Sequence, residues 1–339
     1  MNRLKNLVRL IFVSLLLISV LYVNSSAQTY PKNVQVVVKK GVDKDYNRLI
    51  EQNASVILTQ INQQSPQVFD LPQSIKDDEG SYGLKELKEL LINTGIKVSK
   101  DIFETDILIQ RDNLFEIRGI EVEIDSSKNE GRTDNDRELV LIFNKFGQLL
   151  SVRFALEKTR YQKVMRYSVD LKDELRRKQI LAYVEQFRTA YNRKDLEYIE
   201  QQFSDKALII TGVKLQTGKN DVRQAKKSEI GEENYEYLTQ TKKEYLQRLK
   251  NIFSANSFID IKFEGVKINQ HPDYPEVYGV NLYQVWNSQR YNDTGYLFLM
   301  IDYEDENRPE IYVRAWHEKP IMVRGSGTVI DMSMFDLVK

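Results

Sequence analysis

The side chains able to do acid–base work lie close together near the end of the chain. The stretch DTGYLFLMIDYEDENRPEIYVRAWHEKP, Asp293 to Pro320, carries Asp302, Arg314 and His317. A carboxylate, a guanidinium and an imidazole on neighbouring strands are the components of a general acid–base site, with proton affinities tuned by burial. His317 is the weak candidate for a catalytic base. It follows Ile311, Val313 and Ala315 on alternate positions, which stands it at the rim of whatever that face encloses. A base needs an orienting partner within hydrogen-bond reach, and none is evident. A lone histidine at a strand end is more commonly structural.

Other chemistries are poorly supplied. The chain has two histidines and no cysteine, so a transition-metal site would rest on carboxylates alone. Asp302 to Asn307, DYEDEN, offers oxygens to calcium but lacks the glycine and the terminal glutamate of a calcium loop. It reads as a solvated turn. The GSG at Gly325–Gly327 is too short to cradle a phosphate and reads as a hinge. Lys226-Lys227 and Lys242-Lys243 are broken up by other residues and read as solvated surface. The sequons at Asn53 and Asn292 match easily by chance, and Asn53 falls inside a predicted helix. No metal or cofactor is expected.

The residues around His317 must be positioned by a hairpin. The turn EDENRP puts Tyr303 and Ile311 near its closing pair. In that register Ile301 sits opposite Val313 and Leu299 opposite Ala315 on a core-facing side. Phe298 with Trp316, Met300 with Arg314, and Asp302 with Tyr312 form the other side, where Asp302 and Arg314 are expected to pair. Phe298, Met300, Tyr312, Arg314 and Trp316 then make an aromatic and charged face. It is too apolar to be left bare. Either it is an interface with a partner or a second copy, or the chain's own loops or first half cover it.

The whole chain divides into two similar halves. Tyr46, Ile50, Ala54, Ile57 and Ile61 recur at helical spacing, and Pro66 and Pro72 end that helix. A second, shorter helix spans Leu84 to Ile92 with Gly95 as its stop. Strands follow at Ile117 to Ile124, where Gly119 marks a bulge or a change of phase, and within Glu138 to Glu157, turning through Asn144 to Gln148. The second half opens with an N-cap at Ser168 or Asp170. Ile180, Val184, Phe187 and Tyr191 predict a helix with one buried face, and Asp195 opens another. Ala207 to Gly212 is a short strand, Lys214 to about Tyr235 a long polar loop, and Thr241 to Phe253 a helix. Four strands close this half: Phe258–Asn269, Glu276–Asn287, Thr294–Tyr303 and Pro309–His317. A tail runs from Ile321 to Lys339. The pattern predicts an α+β protein of two domains, 28–167 and 168–320, each with helices packed on a curved antiparallel sheet. The first is cystatin-like or a degenerate copy of the second.

AYVEQFRTAYNRKDLEYIEQQFSDKALIITG and DTGYLFLMIDYEDENRPEIYVRAWH resemble the nuclear transport factor 2-like (NTF2-like, SnoaL-like) superfamily. YLQRLKNIFSANSFIDIKF, DTGYLFLMID and VRAWH are similar to a group of exported bacterial proteins that carry this domain. The resemblance covers roughly Asp170 to Pro320 and implies a cone-shaped α+β fold. It implies little about function, because this fold hosts enzymes, binding modules and assembly domains. Enzymes of this fold place an acid–base carboxylate or histidine inside the cone. The resemblance implies a cone lined here by Phe187, Tyr191, Tyr283, Trp286 and His317. It holds a small apolar or aromatic ligand, or is filled by its own side chains as core.

Residues 1–27 give the expected address. Arg3, Lys5 and Arg9 precede the apolar run Leu10–Val23, and Ser25–Ala27 supplies small residues at a cleavage position. This is the layout of a secretory signal peptide, with an uncleaved anchor as the rival reading; there is no cysteine for lipid attachment and no later membrane span. The product is expected in the periplasm, at the surface or outside the cell. Lysine plus arginine and aspartate plus glutamate balance at 49 each, and signal removal leaves a slightly acidic chain. That argues against a general nucleic-acid binder. With no disulfide available, a hydrophobic core must hold the fold, and 41% apolar residues suffice for one in each half. The reading that follows is an exported, non-catalytic binding or scaffold protein of the cell envelope. The alternatives are an assembly module working through its sheet face, and a small-molecule hydrolase, isomerase or dehydratase.

Overall fold

A computed structural model describes residues 30–77, 82–109, 114–125, 136–156, 171–214 and 235–319, together with Phe335. The predicted signal peptide, the Ser168 and Asp170 caps, the polar loop at 215–234 and the Gly325–Gly327 hinge lie outside the described residues. No helix among the described residues is long and apolar enough to cross a membrane.

The fold is α+β, with two six-stranded sheets and a separate apolar core on each. In the N-terminal half, β1 (Gln35–Lys40) leads into α1 (Lys44–Gln63) and α2 (Tyr82–Thr94). Strands β2 (Lys97–Val98), β3 (Ile102–Ile109), β4 (Phe115–Glu123), β5 (Asp136–Phe143) and β6 (Leu149–Phe154) follow. The sheet runs β1-β3-β4-β5-β6, with β2 paired to β4. Helix α1 begins where Asp43 accepts a hydrogen bond from the Tyr46 amide at 2.9 Å, which satisfies a free N-terminal donor. Of its predicted stripe, Ile50, Ala54, Ile57 and Ile61 are fully buried and Tyr46 is partly buried against the same core. The bulge predicted at Gly119 is present: φ is +80° there, and the β4–β5 register breaks between Ile117 and Ile120. Nothing lies within 4 Å of a Cβ added at Gly119, so glycine serves the backbone angle and not a close contact.

The C-terminal half comprises α3 (Leu171–Arg193), α4 (Leu196–Gln202), β7 (Phe203–Lys214) and β8 (Tyr235–Gln240). Helix α5 (Lys242–Ala255) follows, then β9 (Ile259–Gln270), β10 (Val277–Ser288), β11 (Asn292–Asp302) and β12 (Glu310–His317). The sheet order is β8-β7-β12-β11-β10-β9. Asp195 caps α4 as expected. Thr241 and Glu244 close a reciprocal capping box on α5, satisfying donors at both cap positions.

Three expectations change. The sheets are mixed, because β1 pairs with β3 and β7 pairs with β12 in parallel. Strands β1, β2, β3 and β8 went unpredicted. Helix α3 has two buried faces where one was expected. Ile180, Val184, Phe187 and Tyr191 enter the C-terminal core, while Glu185, Arg188 and Arg193 on other faces are also buried.

Those charges join the halves. Glu185 accepts from Arg118 Nη2 at 2.5 Å, Arg153 Nε at 2.9 Å and the Leu156 amide at 2.8 Å. Arg153 also donates to Glu116. Arg193 lies 2.7 Å from Glu86 and 3.0 Å from Asp195, and Arg137 lies 2.8 Å from Asp260. Arg188 donates to the carbonyls of Phe154 and Ala155. Buried charges persist only when paired and hydrogen-bonded, and each of these pairs spans the two halves or braces a residue that does.

Candidate functional site

The hairpin that carries the predicted chemistry folds one residue out of the expected register. Leu297 pairs with Trp316, Phe298 with Ala315, Leu299 with Arg314 and Met300 with Val313. A bulge then leaves Tyr312 without an opposite residue, and Ile301 pairs with Ile311. A slip of one residue turns every side chain to the other face. The expected aromatic and charged face is therefore split. Phe298, Met300, Val313 and Ala315 form an outer cluster with Leu208, Ile210, Tyr312 and Phe335 packed against it. Arg314 and Trp316 turn inward beneath the helices, alongside Leu297 and Leu299. Asp302 does not pair with Arg314; its carboxylate accepts from the Glu304 amide at 2.8 Å and shapes the turn.

The outer cluster is not an open surface. Phe298 and Met300 are fully buried, and the Phe335 ring stacks on Phe298 with centroids 5.5 Å apart and planes 8° from parallel. Part of the C-terminal tail thus lies on the face that the sequence left open between a partner and the chain itself.

Inward, the misplaced pair forms one wall of a cavity of about 510 Å³ between α5 and the sheet. Helix α5 contributes Tyr245, Arg248, Leu249 and Ile252 at helical spacing. Strand β10 contributes Gln284, Trp286 and Ser288 from alternate positions, and β11 contributes Asp293. Thr211, Gly212 and Val213 of β7 and Arg290 and Tyr291 of the β10–β11 turn also line it. A concave pocket of this size, with aromatic walls and polar groups converging on it, is the usual form of a small-molecule site.

Its polar groups are set by burial. Arg314 is 5% exposed, with its guanidinium carbon 5.3 Å from the centre of the Tyr245 ring, a cation–π distance. Arg314 Nε and Nη1 and the indole nitrogens of Trp286 and Trp316 are buried without hydrogen-bond partners among the described residues. The Tyr245 and Tyr191 hydroxyls are 2.6 Å apart, and burial pushes the Tyr191 hydroxyl well above its ordinary pKa. The Tyr291 hydroxyl donates to Asp293 at 2.5 Å.

The expected pocket residues divide. Trp286 lines the cavity. Tyr191 stands behind it, with ring centroids 6.0 Å apart, and Phe187 is core behind Tyr191. Tyr283 is not in the cavity. It lies three residues before Trp286 in the same strand, which places the two on opposite faces, and it packs edge-on against Tyr296. His317 is also outside, stacked on Tyr237 at 4.4 Å with Nδ1 3.0 Å from the Lys319 carbonyl oxygen. It pairs across the hairpin with Tyr296, and among the described residues its ring meets the Tyr237 hydroxyl and the Lys319 carbonyl, with no carboxylate bonded to it. Tyr245, Arg248, Gln284, Asp293 and Tyr291 were missed. Tyr245, Leu249 and Phe253 recur at helical spacing in the sequence, and that periodicity marks the side of α5 from which Tyr245 and Leu249 meet the cavity.

Among the described residues no group of three or more acidic, histidine or cysteine side chains is placed to hold a metal ion. His271 is structural, its Nδ1 accepting from the amides of Asp273 and Tyr274. Asn53 is buried and donates to the Gly147 carbonyl.

No protein-family model matches the sequence, and no curated protein matches it. Among solved structures, Bd1075 of Bdellovibrio bacteriovorus matches at 12% identity and a TM-score of 0.33, over 63% of this chain and 92% of that one. An NTF-2-like protein of unknown function from Shewanella oneidensis matches at 15% identity and 0.29, over 41% and 96%. The beta subunit of benzoate 1,2-dioxygenase from Burkholderia mallei matches at 12% and 0.29, over 45% and 92%. The C-terminal half runs helices first and then a long-stranded sheet, the order of elements that the resemblance implies. At these scores and identities the likeness carries nothing about activity or ligand.

Proposed function

We propose that this chain is an exported, non-catalytic binding protein that holds a small organic ligand in the cavity beneath α5. The observation that carries the reading is that cavity: about 510 Å³, walled by Tyr245, Trp286, Tyr291 and Trp316, with a buried arginine at its base. Filling such a space with the chain's own side chains would bury the indole nitrogens and the guanidinium without hydrogen bonds, which is costly. A ligand that reaches them removes that cost.

Holding suits this chemistry better than transformation. Proton transfer near neutral pH calls for a group with a matched proton affinity. The Tyr191 hydroxyl is pushed the wrong way, and an arginine does not give up its proton. His317, the one histidine considered for catalysis, is outside the cavity. The basic, apolar and small-residue succession at 1–27 supports export to the envelope.

Tryptophan fluorescence tests the reading with unusual economy. The chain has two tryptophans, and both line this cavity. Titration with a set of one- to three-ring aromatic compounds should quench or shift the emission and raise the melting temperature together, because ligand bound to the native state stabilises it. Emission and melting temperature unmoved by the whole set, or turnover of a compound that binds, would overturn the reading.

A further inference from the structure

The cavity has a charge whose donors its own walls meet only in part. Arg314 sits on the central strand β12, between β7 and β11, and is 5% exposed. Two of its nitrogens, Nε and Nη1, have no hydrogen-bond partner among the described residues. A guanidinium presents its donors in a planar fork that matches a carboxylate or phosphate edge. Here the Tyr245 ring lies against the cation and leaves donors in the fork unused. The Trp286 and Trp316 indoles add two further donors that lack acceptors. The lining thus presents four buried donor atoms without acceptors among the described residues.

The surrounding charge has the same sense. Arg248, Arg290 and Arg314 line the cavity, against the single carboxylate of Asp293. Asp293 is already engaged by the Tyr291 hydroxyl. A neutral ligand could offer an acceptor but would leave the buried positive charge unbalanced, whereas an acid would supply both acceptor and counter-charge.

We infer that the ligand is an organic acid: an aromatic or flat apolar body packed between the tryptophans and Tyr245, with its carboxylate held by Arg314. This rests on the binding reading above and adds the chemical class. In water an ion pair of this kind is weak. In a walled cavity a charge-assisted, bidentate contact is strong and specific.

The test uses matched pairs of equal shape, naphthalene-2-acetate with naphthalene-2-acetamide and two further acid–amide pairs of one and three rings, titrated by tryptophan fluorescence. The wild-type chain should bind acids about tenfold or more tightly than the amides. Arg314→Met should bring each acid to within about twofold of its amide, and Arg314→Lys, which keeps the charge but not the fork, should retain part of the preference. The wild-type comparison stands even if Arg314→Met fails to fold. Acids and amides binding equally to the wild type would overturn the inference and leave the binding reading intact. No binding by any member of any pair would overturn both.

Discussion

A side chain on Gly212 would occupy the place of the Trp316 indole: a Cβ there would come 2.1 Å from Trp316 Cζ3. Gly295, on the other flanking strand, stands in the same relation, with a Cβ 2.5 Å from Trp316 Cε2. The ring lies across β7 and β11 because both neighbours lack side chains. At Gly212 the obstacle is the ring alone, and at Gly295 it includes the His317 carbonyl oxygen at 2.7 Å. Gly212→Ala should therefore displace the indole, shifting tryptophan emission and weakening probe binding. Gly295→Ala should chiefly lower stability, by about 1–3 kcal/mol. Paired urea melts and emission spectra of the two variants check the difference.

Glu185 should be the costliest charge in the protein to lose. It is fully buried and shared by Arg118 and Arg153. Glu185→Gln leaves buried cations short of a counter-charge and should cost about 3–5 kcal/mol. Because these contacts join the two halves, its denaturation should separate into two steps where the wild type shows one. Burial alone would raise this carboxyl, but Arg118 and Arg153 outweigh it and hold it below its ordinary value. Its stabilisation is therefore complete above the unfolded value of about 4.3 and is lost as pH falls through the lower folded value.

Glu89 should act in the opposite direction. Burial, helped by the charge of Asp195, raises its carboxyl to about 7. A group with a raised folded value stabilises fully below its unfolded value, and that stabilisation is lost as pH rises through the folded value. The melting temperature should fall between about pH 5 and pH 8, and Glu89→Gln should flatten that slope. A slope unchanged in the variant would contradict the assignment.

The outer sheet face yields a prediction about the tail. Phe335 stacks on the buried Phe298, so Phe335→Ala should remove the stacking and part of the cover over Met300 and Val313. A loss of about 1–3 kcal/mol is expected, together with concentration-dependent self-association detectable by sedimentation. A variant as stable and monomeric as the wild type would show that the face needs no cover.

Much of this fold was legible because local signals agreed. The alternation of β4 to β6 and β9 to β12, the caps at Asp195 and Thr241, and the stripe of α1 all reflect one element's own geometry. The site was less legible for two specific reasons. Assigning both Tyr283 and Trp286 to one pocket ignored the two-residue period of a strand. The bulge at Tyr312 could not be seen in the turn sequence, and it reversed Arg314 and Trp316 from an outer face to an inner one. The ionic junction escaped because its partners lie far apart in the chain: Glu185 bonds to Arg118 across 67 positions. No local pattern distinguishes such a glutamate from a solvated one. Helix α3 carried the one available hint, an apolar stripe with charge on every other side.

The central claim, a small ligand held between α5 and the sheet, is tested most directly by the mass of the folded protein. The chain should be purified gently from its own cells, without refolding, and its native and denatured masses compared. The account predicts an extra mass on the order of a few hundred daltons that is lost on denaturation and displaced by naphthalene-2-acetate. A native mass equal to that of the bare chain would contradict it.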